Sequence, residues 1–432
     1  MKMANMDDYF DVVIVGTGAA GLYCALNLPA RYRILLLTKQ KADESDSFLA
    51  QGGICMQHGE ADYRPFFDDT MRAGHYENNP ATVDLMIRSS NSIIRDLVRR
   101  GVSFARDDHG ALRFTREGAH SRPRILFHED ITGHEITQTL LNEVLRCENI
   151  ELREHTTLLD FFADASACGG VIAAGPDGEP RAIGAGAVVL ACGGIGGLYK
   201  NSTNFPHITG DAIAMALRHG VACEHLDYIQ IHPTTLYSHR KGRRFLISES
   251  VRGEGALLLD KNGNRFTNEL QPRDVVSAAI RAQMEKDGTD HVWEDMRPIG
   301  EAAIREHFPN ILERCEEEGY DPIHEPIPVV PAQHYFMGGI TADLSSRTAL
   351  PRLYACGETC CNGVHGRNRL ASNSLLESLV FAQRAADDIL YGEPPVFTGD
   401  KPDLAPYREQ EPLFAAYRQE VLTAIERSKK HE

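Results

Sequence analysis

Three glycines near the start of the chain have the spacing that binds a pyrophosphate. Gly16, Gly18 and Gly21 lie in the segment 11–21 (DVVIVGTGAAG), after an apolar β-branched run and before an apolar helical pattern. Gly16 permits a tight turn, Gly18 lets the backbone approach phosphates, and Gly21 lets the helix pack on the strand. The helix N-terminus adds unpaired N–H groups and a favourable dipole. The motif predicts a dinucleotide site, although a glycine-rich turn of another α/β protein can share this pattern.

A second set of residues could bind a small dicarboxylate. His232, His334, Arg273 and Arg369 all occur in segments rich in Gly, Pro or Asn. Arginine binds a carboxylate with two parallel hydrogen bonds, and histidine adds a directional donor. Arg273 also begins an expected helix, where its charge opposes the helix dipole. That cost is explained by an anionic ligand or by the neighbouring Asp274.

The elements that must position these groups alternate between apolar strands and helices. A second strand is predicted at 33–38 (RILLLT), further strands at 186–197 and 353–357 enter glycine turns, and a helix is predicted at 372–390. This alternation is typical of a Rossmann-like α/β domain. The second strand ends in Thr-Lys instead of an acidic residue, which weakens a simple NAD interpretation. A dinucleotide motif so early in the chain is typical of FAD-binding proteins.

Changes of composition along the chain predict three units. Residues 1–226 and 335–393 are expected to form the Rossmann-like FAD-binding domain, because the pattern of strands and glycine turns occupies both segments. Charged loops, prolines and short helices replace that pattern at 227–334, which is expected to be an inserted α+β capping domain. Residues 394–432 are expected to form a short helical tail, with its helix at 406–430.

Composition excludes several classes of partner. The chain has 432 residues and a formal net charge of −16, which argues against a nucleic acid or an anionic membrane as the main partner. No apolar run approaches the roughly 20 residues of a membrane span, and the segment 1–10 has no secretory signal. The ten cysteines include no C-x-x-C pair, so neither a metal nor a cluster is expected. We expect a cytoplasmic protein with reduced thiols.

Ordered motifs across most of the chain resemble the flavoprotein subunits of succinate dehydrogenase and fumarate reductase, together with L-aspartate oxidase. The similarity runs from about residue 9 to about residue 390. It is carried by VGTGAAG (15–21), AQGG (50–53), TREGAHS (115–121), ACGG (191–194), TGDAIAMA (209–216), IHPT (231–234), RGEGALL (252–258), PRDVVSAAI (272–280), HYFMGGI (334–340), CGE (356–358) and GRNRLASNSLLES (366–378).

Within this superfamily the chain most resembles the L-aspartate oxidase branch, because of Glu117. The dehydrogenase and reductase branches generally have a residue without a negative charge at this position. A carboxylate there attracts the ammonium group of aspartate and repels succinate or fumarate, so Glu117 is interpreted as a substrate selector. Asp46 stands where the membrane-complex flavoproteins have the histidine that bonds covalently to FAD. The resemblance therefore implies non-covalent FAD.

The resemblance also implies roles for the substrate-binding residues. His334 and Arg369 would bind the α-carboxylate of the substrate, and His232 and Ser248 the β-carboxylate. Arg273 occupies the position of the general acid/base. An arginine with a pKa of about 12.5–13.8 is a poor base, so stabilisation of negative charge is its safer role.

The implied reaction is oxidation of L-aspartate to iminoaspartate by hydride transfer to flavin N5, with O2 or fumarate as acceptor. It is the first step of de novo NAD (quinolinate) biosynthesis, and a transient contact with quinolinate synthase is possible for so labile a product. The expected FAD-binding residues are Gly16, Gly18, Ala20, Gly21, Thr38, Lys39, Ser45, Gln51, Gly52, Gly53, Asp211, Glu358, Ser374 and Leu375.

Two alternatives stay open at this point. One is a fumarate reductase or succinate dehydrogenase flavoprotein. The other is a flavin-bearing electron-transfer subunit that works only when docked on an iron–sulfur partner. The chain also departs from longer members of the superfamily, since their C-terminal helical domain is reduced here to the expected tail after about residue 390. This departure leaves the motifs intact.

Overall fold

A computed structural model describes residues 8–240, 242–392 and 397–430 of the chain. Within these ranges no helix combines the length and the apolar character needed to cross a bilayer. The predicted boundary between residues 393 and 394 lies outside the described residues, as do residues 1–7 of the first predicted segment.

The strands form one large sheet and three smaller ones. The large sheet has the order β5-β2-β1-β8-β7-β6, with β15 also paired to β8. The strands are β1 Tyr9–Val15, β2 Ile34–Leu37, β3 Ile54–Cys55, β4 Ile125–Leu126, β5 Ile150–Arg153, β6 Thr157–Ala163, β7 Cys168–Ala174, β8 Pro180–Leu190, β9 Cys223–Glu224, β10 Ile229–Leu236, β11 Leu257–Leu259, β12 Val292–Asp295, β13 Ile327–Phe336, β14 Gly339–Thr341, β15 Leu353–Ala355 and β16 Cys360–Cys361.

Eleven α-helices lie in the described part of the chain. They are α1 Ala19–Asn27, α2 Tyr63–Ala73, α3 Pro80–Arg100, α4 Thr132–Val144, α5 Asp211–Arg218, α6 Glu249–Gly253, α7 Arg273–Asp287, α8 Glu301–His307, α9 Pro309–Glu317, α10 Asn373–Tyr391 and α11 Gln410–Ser428.

The centre of the large sheet is parallel and buried on both faces. Strand β1 pairs in parallel with β2 on one side and with β8 on the other. Val12 and Ile14 pack in a core with α1, α3, α4 and α10, whereas Val13 and Val15 pack in a core with α5 and α11. Such two-sided burial explains why the strand is a continuous β-branched run and not an alternating pattern. The predicted α/β fold class is confirmed.

The segment predicted as a capping domain contains an antiparallel sheet. Its order is β10-β13-β12-β11, and a separate apolar core with α7, α8 and α9 covers it. Strand β13 runs through the predicted boundary between residues 334 and 335. The division into domains at these positions therefore remains a prediction.

The start of α11 differs from the sequence prediction, and the start of α10 agrees with it apart from the role of one side chain. Helix α11 begins at Gln410 and not at residue 406, because Ala405–Tyr407 forms a separate 3₁₀ turn. Helix α10 begins after Ser372, whose backbone is left-handed with φ 61° and whose side chain does not cap the helix. The Ser372 hydroxyl instead donates to Glu117 Oε2, 2.6 Å away.

Candidate active site

One cavity lies between the large sheet and the antiparallel sheet, and it collects nearly all of the predicted site residues. Gly21 is the exception: a Cβ there would lie 1.9 Å from the Gly16 carbonyl oxygen, so this glycine serves helix packing as its motif predicts. The predicted residues that line the cavity are Gly16, Gly18, Ala20, Thr38, Lys39, Ser45, Gln51, Gly52, Gly53, Glu117, Asp211, His232, Ser248, Arg273, His334, Glu358, Arg369, Ser374 and Leu375.

The nucleotide end of the cavity is built from backbone at the turn between β1 and α1. Gly16 has φ +115°, and a Cβ there would lie 2.0 Å from the Ala191 carbonyl oxygen. Gly18 is the N-cap of α1 and provides no capping side chain. Most N–H groups of the first helical turn have no intrahelical partner, so this end of the cavity suits an anion.

Buried polar atoms without partners support a bound dinucleotide here. Ser45 Oγ and Gln51 Oε1 are buried in the cavity lining and have no hydrogen-bond partner. Buried polar groups in proteins are nearly always hydrogen-bonded, so these atoms suit a polar ligand. Together with the glycine turn, they fit FAD, with its pyrophosphate at α1.

An ion pair closes the end of the cavity near β2. Lys39 Nζ lies 2.6 Å from Asp211 Oδ2 and 3.2 Å from the carbonyl oxygen of His207. Asp211 also accepts a hydrogen bond from Thr209 Oγ1. The sequence predicted both charged residues as cofactor ligands without predicting that they pair.

Two half-buried carboxyl groups lie in the cavity lining. Asp46 Oδ1 accepts from the Phe205 N–H at 2.9 Å, whereas Asp46 Oδ2 has no partner. Glu358 Oε1 accepts from the Phe336 N–H at 2.9 Å. Burial raises the pKa of Asp46 to about 7, and burial together with the charge of Asp46 raises the pKa of Glu358 to about 8. Both carboxyl groups therefore hold a proton more readily than an ordinary carboxylate does.

The substrate end of the cavity is organised by two arginines that share one amide. Gln230 Oε1 accepts from Arg273 Nη1 at 2.8 Å and from Arg369 Nε at 3.2 Å. The Gln230 amide nitrogen donates to Asn368 Oδ1 and to the Arg369 carbonyl oxygen, which fixes the direction of the amide. Both guanidinium groups are almost fully buried, and burial with the charge of Arg273 lowers the pKa of Arg369 to about 10.

Glu249, not Asp274, balances the charge of Arg273. Arg273 Nε donates to Glu249 Oε2, whereas Asp274 lies 3.0 Å from His75 Nε2. Asp274 therefore pairs with His75 and not with Arg273, although it lies in the first turn of α7, where a negative charge favours the helix dipole. Burial by itself raises the pKa of Glu249, but Arg273 and Arg252 outweigh it, and the pKa lies below its usual value. Glu249 is ionised and keeps Arg273 oriented.

The two predicted histidines meet across the cavity. The rings of His232 and His334 are T-shaped with centroids 5.1 Å apart. His334 Nδ1 lies 2.7 Å from Thr203 Oγ1, and His232 Nδ1 lies against the backbone of Thr234. His232 Nε2 is buried without a partner. Burial and Arg273 hold the pKa of both rings well below the usual value, so both are neutral.

Ser248 lies beside His232 in the cavity lining and is the N-cap of α6. Its Oγ accepts from the Ser250 N–H at 3.2 Å and donates to Ser250 Oγ at 3.2 Å. The hydroxyl is therefore held by local contacts.

Glu117 is a buried carboxyl group whose two oxygens are held separately. Oε1 accepts from Ser250 Oγ at 2.8 Å, and Oε2 accepts from Ser372 Oγ at 2.6 Å. A Cβ on Gly52 would lie 2.7 Å from Oε1, so the glycine makes room for the carboxyl group. Burial and the charge of Glu249 raise the pKa of Glu117. A positively charged group bound next to Glu117 would stabilise its ionised form and lower this pKa.

Four polar residues at this end were not predicted, namely Gln230, Glu249, Ser250 and Ser372. Glu249 and Ser250 follow the predicted Ser248 directly, and Ser372 lies three positions after the predicted Arg369. Gln230 lies two positions before the predicted His232. Proximity to a predicted residue was the only signal for any of the four.

Comparison with known proteins agrees with this geometry. A family model described as FAD binding domain matches residues 11–375. An L-aspartate oxidase of Clostridium perfringens is 48% identical over 380 residues, which cover 88% of this chain and 86% of that protein. An L-aspartate oxidase of Nostoc is 44% identical over 442 residues and covers 98% of this chain and 76% of its own length.

Solved structures share the fold at lower identity. The quinol fumarate reductase flavoprotein of E. coli superposes with a TM-score of 0.83 at 30% identity, covering 95% of this chain and 74% of that one. A quinol-fumarate reductase with menaquinol has a TM-score of 0.84 at 32% identity and covers 95% of this chain and 75% of that one. The match to the domain model and the relatives of high coverage place the chain in the L-aspartate oxidase family of FAD-binding flavoproteins.

Proposed function

We propose that the protein oxidises L-aspartate to iminoaspartate with FAD as its cofactor. The observation that carries this proposal is that the carboxyl group of Glu117 is held by two hydroxyl groups among several groups that bind anions, whereas the other buried carboxylate there, Glu249, is paired with Arg273. Glu117 lies in the same cavity as Arg273, Arg369 and the two histidines. A substrate with two carboxylates and one ammonium group matches this charge pattern, whereas succinate leaves Glu117 without a cation.

The cavity offers each charged group of aspartate a complementary site. Arg369 and His334 bind the α-carboxylate, and His232 and Ser248 bind the β-carboxylate. His232 Nε2 is the ring nitrogen that has no protein partner, so it is the atom of His232 that is free to contact the β-carboxylate. Glu117 accepts hydrogen bonds from the ammonium group.

Arg273 supplies positive charge next to the reacting carbon. Glu249 holds the guanidinium in place and shares its Nε–H, while Gln230 fixes Nη1. A pre-oriented cation in a water-poor cavity stabilises developing negative charge without further reorganisation. When bound, FAD supplies the acceptor for the hydride. With Asp46 at the position where the membrane-complex flavoproteins carry histidine, we propose that FAD is bound non-covalently.

Fumarate reduction or succinate oxidation is the less well supported function. The fumarate reductase structures are 30% and 32% identical to the chain, and the two aspartate oxidases above are 48% and 44% identical. A buried carboxylate at Glu117 also repels a dicarboxylate that has no cation.

The test is an anaerobic reduction of the yellow protein, followed by flavin bleaching near 450 nm. L-Aspartate is expected to bleach the flavin, and succinate is not. Bleaching by succinate alone would contradict the proposal and favour the dehydrogenase branch. Bleaching by neither compound would also contradict it and favour a subunit that needs an electron-transfer partner.

Glu117→Gln makes the same test specific to the proposed selector. Loss of the carboxylate is expected to lower kcat/KM for L-aspartate by about a hundredfold, since a lost ionic hydrogen bond costs about 1.5–3 kcal/mol. Glu377→Gln is a matched control, because Glu377 is equally buried and does not line the cavity. Equal effects of the two changes would refute the selector role.

The location and the product also lead to proposals. All ten cysteines are free, and most are buried, which supports a reducing compartment such as the cytoplasm.

The lability of an imine product supports a transient contact with quinolinate synthase. Co-sedimentation of the two purified proteins during turnover tests that contact, and two unchanged separate boundaries would argue against it.

A further inference from the structure

A buried charged network lies behind the candidate active site and does not line the cavity. Its centre is Arg124, whose side chain is 0% exposed. Arg124 donates to Asp62 through Nε and Nη2 and to Asp69 Oδ2 through Nη1 at 2.8 Å. Asp69 also accepts from the N–H and the hydroxyl of Ser121 at 2.7 Å each. Two carboxylates thus surround one guanidinium, and together they anchor the loop that carries Glu117.

The same guanidinium determines the tautomer of His120. Arg124 Nη1 lies 2.8 Å from His120 Nδ1. A guanidinium only donates hydrogen bonds, so Nδ1 must accept and Nε2 must carry the proton. Burial and the charge of Arg124 lower the pKa of His120 to about 4, so the ring is neutral at physiological pH. His120 is a donor with a single direction.

The donor of His120 points to the backbone that holds the selector. His120 Nε2 lies 3.0 Å from the Ala371 carbonyl oxygen. The next residue, Ser372, has left-handed backbone and donates to Glu117 Oε2. Non-glycine residues in this conformation cost about 1 kcal/mol or more, so surrounding contacts must maintain it. The hydrogen bond from His120 is one such contact.

Hydrogen bonds and the peptide chain connect His120 to Glu117 by two routes. The His120 N–H is 3.4 Å from the Glu117 carbonyl oxygen, which makes the turn of the loop. The second route runs from the His120 side chain to the Ala371 carbonyl oxygen, along the chain to Ser372, and from the Ser372 hydroxyl to the Glu117 carboxyl group. Both the backbone and the side chain of Glu117 are therefore linked to His120.

We propose that His120, oriented by Arg124, is a positioning residue that holds the Glu117 carboxylate where it can bind the substrate ammonium group. The inference deepens the proposed function and rests on it. It assigns part of the discrimination between an amino dicarboxylate and a plain dicarboxylate to a residue that does not line the cavity. His120 touches neither substrate nor cofactor.

The experiment compares His120→Leu with His120→Gln in the protein carrying FAD. The glutamine amide can accept from Arg124 and donate to Ala371, whereas leucine can do neither. For each variant the KM for L-aspartate and the inhibition constant of succinate are measured. We expect leucine to raise the aspartate KM about tenfold to a hundredfold, the effect of losing support for an ionic hydrogen bond. The succinate constant should change less than about threefold, because succinate has no ammonium group, and glutamine should restore most of the loss.

One control and one replacement variant separate a positioning role of His120 from a general loss of structure. His219→Leu removes another histidine that hydrogen-bonds a carboxylate, Asp160, and neither of these two residues lines the cavity. It should leave both constants near the wild-type values. If His120→Leu fails to fold, His120→Asn replaces it, since the shorter amide reaches Arg124 but not Ala371.

Three results would overturn the proposal. One is an equal weakening of aspartate and succinate binding, and another is no rescue by glutamine relative to leucine or asparagine. The third is wild-type behaviour of all His120 variants. Failure of the proposed function looks different, because the wild-type protein itself would then not oxidise L-aspartate.

Discussion

The two ends of the cavity are built on opposite principles. At the nucleotide end, the glycine turn of Gly16 and Gly18, which are close in sequence, offers backbone at the start of α1. At the substrate end, charged side chains from distant segments meet, as when Glu117 is held by Ser250 and Ser372. The first end depends on conformation and space, and the second depends on charge balance. Substitutions should therefore damage them in different ways.

Gly16→Ala should have the largest effect, and it should disrupt FAD binding at the nucleotide end. A Cβ would lie 2.0 Å from the Ala191 carbonyl oxygen, and φ +115° is unfavourable for alanine. We expect loss of FAD and thus of activity, measured by the 450 nm absorbance of the purified variant. Gly59→Ala is the control, because Gly59 also has positive φ but has open space around its Cβ. A yellow, active Gly16→Ala protein would contradict the packing argument.

Arg273→Gln should be next, and it should leave the nucleotide end intact. Removing an oriented charge from a buried site costs about 10²- to 10³-fold in kcat. FAD should remain bound, so absorbance and activity are measured on the same sample. Arg281→Gln, on the exposed face of α7, should retain wild-type rates. Loss of FAD from the Arg273 variant would show that the two ends are not independent.

Glu249→Gln should have a smaller effect at the same end. It leaves Arg273 buried without its anion, while Gln230 still holds Nη1. We expect kcat to fall by about tenfold to a hundredfold, the usual effect of losing an ionic hydrogen bond. Steady-state kinetics with L-aspartate measure it. An unchanged kcat would mean that Gln230 alone orients the guanidinium.

The pH dependence of aspartate binding tests whether the substrate end of the cavity depends on the charge of Glu117. Burial and Glu249 raise the pKa of Glu117, and only its ionised form attracts an ammonium group. As pH falls through this raised pKa, the KM for L-aspartate should rise about tenfold per unit, and the rise should begin above the ordinary glutamate value of about 4.3. The pKa of Glu117 in the enzyme without substrate is measured from the dependence of kcat/KM on pH. In Glu117→Gln this acid limb should vanish, and its persistence would assign it to another group.

Lys39→Met should have the smallest effect, since its ion pair with Asp211 is partly exposed, with 30% and 16% of the two side chains accessible. Such pairs contribute about 0.2–1 kcal/mol, so FAD affinity should fall only about two- to fivefold. Titration of the apoprotein with FAD at low and high salt measures this. A loss comparable to that of Gly16→Ala would show that side-chain charge also governs the nucleotide end.

Prediction from sequence worked where function depends on neighbours along the chain. The segment 11–21 predicted strand, turn and helix correctly, because an apolar run and three glycines impose that geometry locally. The sequence also placed the start of α10 correctly at Ser372, the N-cap residue, but it could not predict the partner of the Ser372 side chain. The serine hydroxyl finds a better acceptor in Glu117, 255 positions earlier in the chain, and no local pattern reveals such a partner.

The sequence by itself determined the fold class, the FAD motif and the types of residues in the active site, because these follow from local spacing and ordered motifs. Only the tertiary structure decided how the charges are paired. It assigned Glu249 to Arg273, left Asp274 with His75, and gave two buried glutamates opposite pKa shifts. Those outcomes depend on burial and on distances between remote segments, since a carboxylate's pKa is determined by the charges that folding brings beside it.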